Sequence, residues 1–337
     1  MRIRRLGPAL PASLLLALLL PAVLAPTAAL AQAQKVSFRL DWIPTAHHAL
    51  FYAAVDRGFY TEAGLNVEIL PGTGSGDAVK LVGNASNDFG FADAGAMAQG
   101  RSKGIPVKMV GVVYSRSPIG IAALADLKIT KAKDLEGHSV GIAPGSAEAW
   151  AWLAFVNVNG IDGDKVRRVN VGPALGPQSL LERKIEALAG FVTGNLLIAE
   201  TRGAKVTVLR FGDHGVEIYG NGIITHDALL RRDRALVGRF VQATFRGVQW
   251  VMQRPDEGID ILRKYHPTVD ERFARAAIRR VIDLIESPAT RERGLGWMTA
   301  QQWERTQEIL ARFAGLSPKS PLEDLFTNEF LGRAPGR

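Results

Sequence analysis

From Lys35 onward, short runs of β-favouring residues alternate with stretches whose apolar positions recur at helical spacing, the pattern of βαβ units around a largely parallel sheet. It predicts a strand over Val36 to Leu40, a helix over His47 to Asp56 closed by Gly58, and a strand over Val67 to Leu70. A helix over Ala78 to Asn84, the strand Phe89 to Ala92, a helix over Met97 to Lys103 and the strand Val107 to Val113 complete a first lobe. A second unit starts near Lys133, with strands at Ser139 to Ile142, Val166 to Val171, Ala187 to Val192 and Val206 to Arg210 and helices at Ala147 to Val158 and Ser179 to Lys184. After the strand-like Ile218 to Thr225 the rest reads as helix: Arg234 to Arg254, Pro255 to Tyr265, Asp270 to Ile285 and Thr299 to Phe313. With no further sheet, this tail is expected to pack on the first lobe.

The chain therefore passes between lobes twice, near Ile119 to Asp126 and near Val216 to Asn221. The expected partition is residues 32–122 with 219–337 in one lobe and 123–218 in the other, hinged by the two passages, with a ligand in the closing cleft. About 300 residues also exceed what one compact core usually holds.

The N-terminus changes the setting. Met1-Arg2-Ile3-Arg4-Arg5, an apolar run around Leu14 to Leu20, and the small-residue frames Ala29-Leu30-Ala31 and Ala31-Gln32-Ala33 read as a secretory signal peptide over residues 1–31. Pro11, Pro21 and Pro26 interrupt the run, so it lacks the ~20 apolar residues of a membrane span. A periplasmic protein is expected. The chain has 0 Cys, which removes disulfides, thiolate metal sites, a catalytic thiol and a lipid-modified cysteine. Its net charge of +8 includes Arg2, Arg4 and Arg5, leaving +5 without the leader, spread along the chain with no nucleic-acid stripe.

Candidate chemistry gathers at the ends of strands, where ligands bind in open α/β sheets. Asp41-Trp42-Ile43-Pro44 ends the first strand; Trp42 offers a flat apolar face, and His48 and Tyr52, four apart, offer polar handles on one helix face. A core Trp and a capping histidine are equally compatible with that stretch. His47 and His48 are neighbours expected to point apart, so no metal site is expected. Gly72-Thr73-Gly74-Ser75-Gly76-Asp77 has Asp77 where a dinucleotide fingerprint needs glycine, and no phosphate-loop Lys follows. Thr73, Gly74 and Ser75 remain as a glycine-rich turn facing the cleft or capping a helix. Ser146 in Pro144-Gly145-Ser146 repeats that logic in the second lobe, and Asp93, Thr193 and Asn195 follow other strands. Ser117 and Tyr219, beside the two passages, complete the candidate ligand contacts. No Gly-x-Ser-x-Gly elbow occurs, and Pro173 breaks the calcium-loop pattern begun by Asp162-Gly163-Asp164, so no catalytic residue is assigned.

An ordered set of short motifs resembles the substrate-binding proteins of the thiamine-precursor, nitrate, sulfonate and taurine type, the NMT1/THI5-like family. The set comprises Leu40-Asp41-Trp42-x-Pro44 with His48 and Tyr52, Asp56-Arg57-Gly58-Phe59-Tyr60, Gly64-Leu65-Asn66-Val67 and Asp88-Phe89-Gly90-Phe91-Ala92-Asp93. Gly104-Ile105-Pro106-Val107, Asp134-Leu135-Glu136-Gly137, Gly194-Asn195, Gly294-Leu295-Gly296-Trp297-Met298 and Phe326-Thr327-Asn328-Glu329-Phe330 extend it along the chain. The resemblance implies the two-lobe periplasmic binding protein fold (type II), a monomer without cofactor, and delivery of a small molecule to the permease and ATPase subunits of an ABC importer. It also implies that Trp42 is a stacking wall. Pyrimidine-binding members have Asn where Thr45 stands, which leaves aromatic or heterocyclic ligands, flavin-like ones included, and small organic anions open. The family name also covers a thiamine-pyrimidine synthase that uses its own histidine, pyridoxal phosphate and iron; the leader and the absence of Cys weigh against that reading. A ligand-sensing docking role is the remaining alternative.

Overall fold

A computed structural model describes Met1 and residues 33–172, 175–203 and 205–332. The expected signal peptide falls almost wholly outside the described residues. No described helix is long and apolar enough to cross a membrane.

The first half alternates as its pattern predicts: β1 (Gln34–Arg39), α1 (Ala49–Asp56), α2 (Phe59–Glu62), β2 (Leu65–Leu70), α3 (Ser75–Gly83), β3 (Phe89–Asp93), α4 (Ala94–Ser102) and β4 (Val107–Val112). The second sheet draws on β5 (Ile119–Leu124), β6 (Ser139–Ile142), α5 (Ala147–Val158), β7 (Arg167–Asn170), α6 (Gly176–Leu181), β8 (Ala187–Phe191), α7 (Asn195–Thr201) and β9 (Val206–Arg210). The chain then returns through β10 (Asn221–His226) to α8 (Asp227–Arg232), α9 (Arg234–Gln253), α10 (Pro255–Tyr265), α11 (Glu271–Ile285), α12 (Pro288–Arg293), α13 (Ala300–Phe313) and α14 (Leu322–Leu325).

Each sheet has five strands, ordered β2-β1-β3-β10-β4 and β7-β6-β8-β5-β9. The strand that arrives from the other lobe inserts fourth, antiparallel to its neighbours: β10 between β3 and β4, β5 between β8 and β9. The two lobes thus share one topology. Ile119 to Asp126, expected as a passage between lobes, is instead mostly this inserted strand. Its run Ile119-Gly120-Ile121-Ala122-Ala123-Leu124 is buried throughout, which an uninterrupted apolar stretch achieves only with cover on both faces. The first passage is accordingly Val113 to Pro118 and the second Phe211 to Gly220.

The helical tail divides its packing. Helices α9 and α10 lie on α1, and α10 on α11, burying Phe240, Val241, Val248 and Ile278. Helix α13 lies against both α4 and α5, so it touches the second lobe as well as the first.

Across the cleft the lobes meet at small residues. The Gly76 N–H donates to Gly145 O at 3.3 Å, and a Cβ on Gly74 would lie 2.7 Å from the same oxygen. A Cβ on Gly95 would lie 2.2 Å from the Trp150 ring. Arg280 of α11 pairs with Glu200 of α7 at 2.8 Å on another side of the cleft.

Candidate functional site

The carboxyl ends of β1 and β2 face the start of α5 and the loop after β8, and between them lies a cavity. Its lining joins Asp41, Trp42, Thr45, His47, Gly74 and Ser75 of the first lobe to Ser146, Ala147, Glu148, Phe191, Gly194, Asn195 and Ile198 of the second. Trp42 is half-buried, borders this cavity and packs against no other aromatic ring among the described residues. Gly72 lets the glycine-rich turn approach: its N–H donates to Trp42 O at 3.0 Å, and a Cβ would lie 1.9 Å from Leu40 O.

Asp41 anchors the first wall. His48 Nε2 lies 2.9 Å from its Oδ1, and Asn221 Nδ2 donates to its Oδ2 at 2.8 Å. Burial alone would raise this carboxyl, but the facing imidazoles of His47 and His48 hold it well below the usual carboxylate range. His48 is pushed the same way, down to about 4, by burial and by its neighbour His47. A carboxylate accepting from a neutral imidazole satisfies both shifts. The Thr45 backbone N–H donates to His48 Nδ1 at 3.0 Å, so the His48 proton sits on Nε2, pointing at Asp41.

This arrangement corrects the expectation that His47 and His48 point apart. Both lie in the tight turn Ala46–His48, their ring centroids 3.9 Å apart, and ligand atoms of Asp41, His47 and His48 fall within 4.8 Å of one another. The donor set nevertheless does not suit a metal. His48 Nε2 carries the proton, and moving it to Nδ1 would set two N–H donors face to face at Thr45. His47 is different: its Nδ1 bonds Thr45 Oγ1 at 2.9 Å, while its buried Nε2 lies 3.5 Å from Asp41 Oδ1.

The second wall holds Glu148, which has no counterpart among the residues expected to touch ligand. It is 5 % exposed, in the first turn of α5, and pairs with no basic side chain among the described residues. Burial pushes its carboxyl up to about 7, the charges of Asp41 and Asp93 adding, against its own backbone N–H and Ser146.

Seven expected contacts line the cavity: Asp41, Trp42, Thr45, Gly74, Ser75, Ser146 and Asn195. Two of them are also spent on structure: Ser75 Oγ accepts from Asp93 N–H at 3.1 Å, and Ser146 Oγ donates to Ala143 O at 2.7 Å. The other seven do not line it. His48 is buried behind Asp41, and Tyr52 turns away to His266 Nε2 at 2.6 Å, because its turn of α1 faces α10 rather than the cleft. Thr73 is exposed and donates to Asp77. Asp93 caps α4 by accepting from Ala96 N–H, and burial pushes it up to about 7. Ser117 borders a separate groove beside the passages, with Arg116, Arg210 and Arg291. Thr193 is buried, and Tyr219 accepts from the Thr299 N–H at 2.8 Å. His47, Glu148, Phe191 and Asn221 stand outside the expected contacts; His47 takes its place through the tight local turn Ala46–His48, the other three through contacts distant in sequence.

The family model described as NMT1/THI5 like matches residues 45–258, more than half the chain. The chain belongs to this family. Among its relatives are riboflavin-binding protein RibY of Chloroflexus aurantiacus, 26 % identical over 305 residues covering 88 % of this chain and 86 % of that one, and the formylaminopyrimidine-binding protein of Halalkalibacterium halodurans, 26 % identical over 303 residues covering 88 % and 90 %. A more distant relative from Legionella pneumophila is named 4-amino-5-hydroxymethyl-2-methylpyrimidine phosphate synthase, 21 % identical over 309 residues covering 89 % and 93 %. Among solved structures, the periplasmic aliphatic sulphonate binding protein SsuA of Escherichia coli superposes with a TM-score of 0.67 at 14 % identity, covering 91 % of this chain and 94 % of that one. The family member described here therefore has the periplasmic binding protein fold.

Proposed function

We propose that this protein is a solute-binding protein of the periplasm that closes its two lobes on a small heterocyclic or aromatic molecule and presents the closed form to an ABC importer. The observation that carries the reading is the cavity between the lobes, walled by Trp42 and lined by residues of both lobes that closure brings together. Closure shields the ligand from water, and a composite surface then distinguishes loaded from empty protein. The relatives named for riboflavin and formylaminopyrimidine support a heterocyclic ligand. The lining supports it further: among the described residues it contains Asp41 and Glu148 and neither Lys nor Arg, a poor setting for nitrate or a sulfonate.

A catalytic reading has less to stand on. His48 is locked in a structural hydrogen-bond chain, and each Asp41 oxygen already has a partner, Oδ1 in His48 and Oδ2 in Asn221.

The test is a thermal-shift screen of the chain from Gln34 onward against thiamine precursors, flavins, aromatic acids, sulfonates and nitrate. A ligand at a hundredfold over its dissociation constant adds ~2.7 kcal/mol, and the expected hit is a heterocycle whose shift disappears in Trp42→Ala. A hit that survives Trp42→Ala, or turnover of the hit by the wild type, overturns the reading.

A further inference from the structure

Two polar groups, one on each lobe, are buried at the cavity. His47 is 3 % exposed with its Nε2 3.5 Å from Asp41 Oδ1; Glu148 is 5 % exposed and has no cation beside it among the described residues. Asp41, the other lining carboxyl, is occupied by His48 and Asn221, so Glu148 is the acid left for a ligand. Asp93 stands behind the wall and adds a third carboxyl to the neighbourhood. A buried carboxylate is costly unless paired, and closure without a ligand leaves Glu148 in that condition.

Resting on the cleft reading above, we infer that the ligand is a flat aromatic or heteroaromatic cation, of the amidinium or protonated amino-heterocycle type, whose N–H edge donates to Glu148 while its ring lies against Trp42. The ligand's charge then supplies what the second wall lacks. An anion of the same size meets Glu148 with like charge and finds no Lys or Arg among the described lining residues. A bound cation also reverses the upward push that burial, Asp41 and Asp93 exert on Glu148.

Calorimetric titration with four probes that share one ring and differ in charge tests this: benzamidine, benzamide, benzoate and benzenesulfonate. The inference predicts that benzamidine binds about tenfold tighter than benzamide, the scale of a hydrogen bond between charged groups, and that the two anions bind more weakly still. Glu148→Gln brings benzamidine to the level of benzamide while the protein still melts cooperatively. Glu148→Asp, which keeps the charge, retains part of the preference. Equal binding of benzamidine and benzamide, or tighter binding of either anion, overturns the charge inference and leaves the cleft reading standing if Trp42→Ala weakens that binding. Binding of the probes that Trp42→Ala leaves unchanged, or no binding by any of them, overturns both.

Discussion

Asp41 on the first lobe and Glu148 on the second are both buried carboxyls lining one cavity, yet their surroundings push them in opposite directions. Asp41 accepts from His48 and Asn221 and is held well below the usual carboxylate range; Glu148 faces two other acids with no basic partner among the described residues and is pushed up to about 7. The first wall is finished before any ligand arrives, because His48, Asn221 and Thr45 belong to the same lobe as Asp41. The second wall is completed only by what enters the cleft. On the proposed reading the pair divides the labour of a hinged binder, one lobe positioning the ligand and the other responding to it.

Four changes sharpen or break this contrast, the largest first. Asp41→Ala strands the His48 Nε2–H and the Asn221 amide in the core, and should cost about 3 kcal/mol of stability, read as a fall of several degrees in the melting temperature without ligand; an unchanged melt would show that the first wall is not a structural unit. Trp42→Ala removes the stacking face and should weaken ligand binding by about 2 kcal/mol, in the range of base stacking on aromatic side chains, with the ligand-free melt little altered. A large loss of ligand-free stability would instead place Trp42 in the core. Gly95→Val drives a side chain into the Trp150 ring across the cleft and should cost about 1.4 kcal/mol of ligand affinity, the scale of a mild overpacking. A titration showing wild-type affinity would mean that closure at that seam does not accompany binding.

The smallest effect is on pH. Closed, Glu148 holds its proton up to about 7 against an ordinary value of 4.5, and Asp93 behaves likewise. The closed form therefore binds more protons than an open, solvated one. Its advantage is full at low pH, declines as pH rises from about 4.5 to about 7, and is level above that. Small-angle scattering of the ligand-free protein should show the radius of gyration growing over that window, and growing less in Glu148→Gln, where Asp93 is the raised carboxyl that remains. An equal response in both proteins would remove Glu148 from the closing surface.

Much of the scaffold was legible because the alternation of strand and helix is written locally. Helix α5 was placed over Ala147 to Val158 as observed, and Trp42, Gly74, Ser75, Ser146 and Asn195 follow from the rule that strand ends carry ligands. The inserted strand β5 departs from the expected passage: its unbroken apolar run lacks the alternation that marks a half-buried strand, and it is held by two neighbouring strands that are distant in sequence. Glu148 left no sign at all, since an acid in the first turn of a helix is ordinary; only the opposite wall makes it unusual. The convergence of His47 and His48 on Asp41 depends on a tight turn that spacing rules for a regular helix do not describe.

The most direct measurement is a crystal structure of the protein with the ligand that gives the largest thermal shift. The account predicts density between the Trp42 ring and the Glu148 carboxyl, with a donor group of the ligand within hydrogen-bond reach of Glu148. Density elsewhere, for example in the groove beside Arg116, Ser117 and Arg291, or an acceptor-only group facing Glu148, would contradict it.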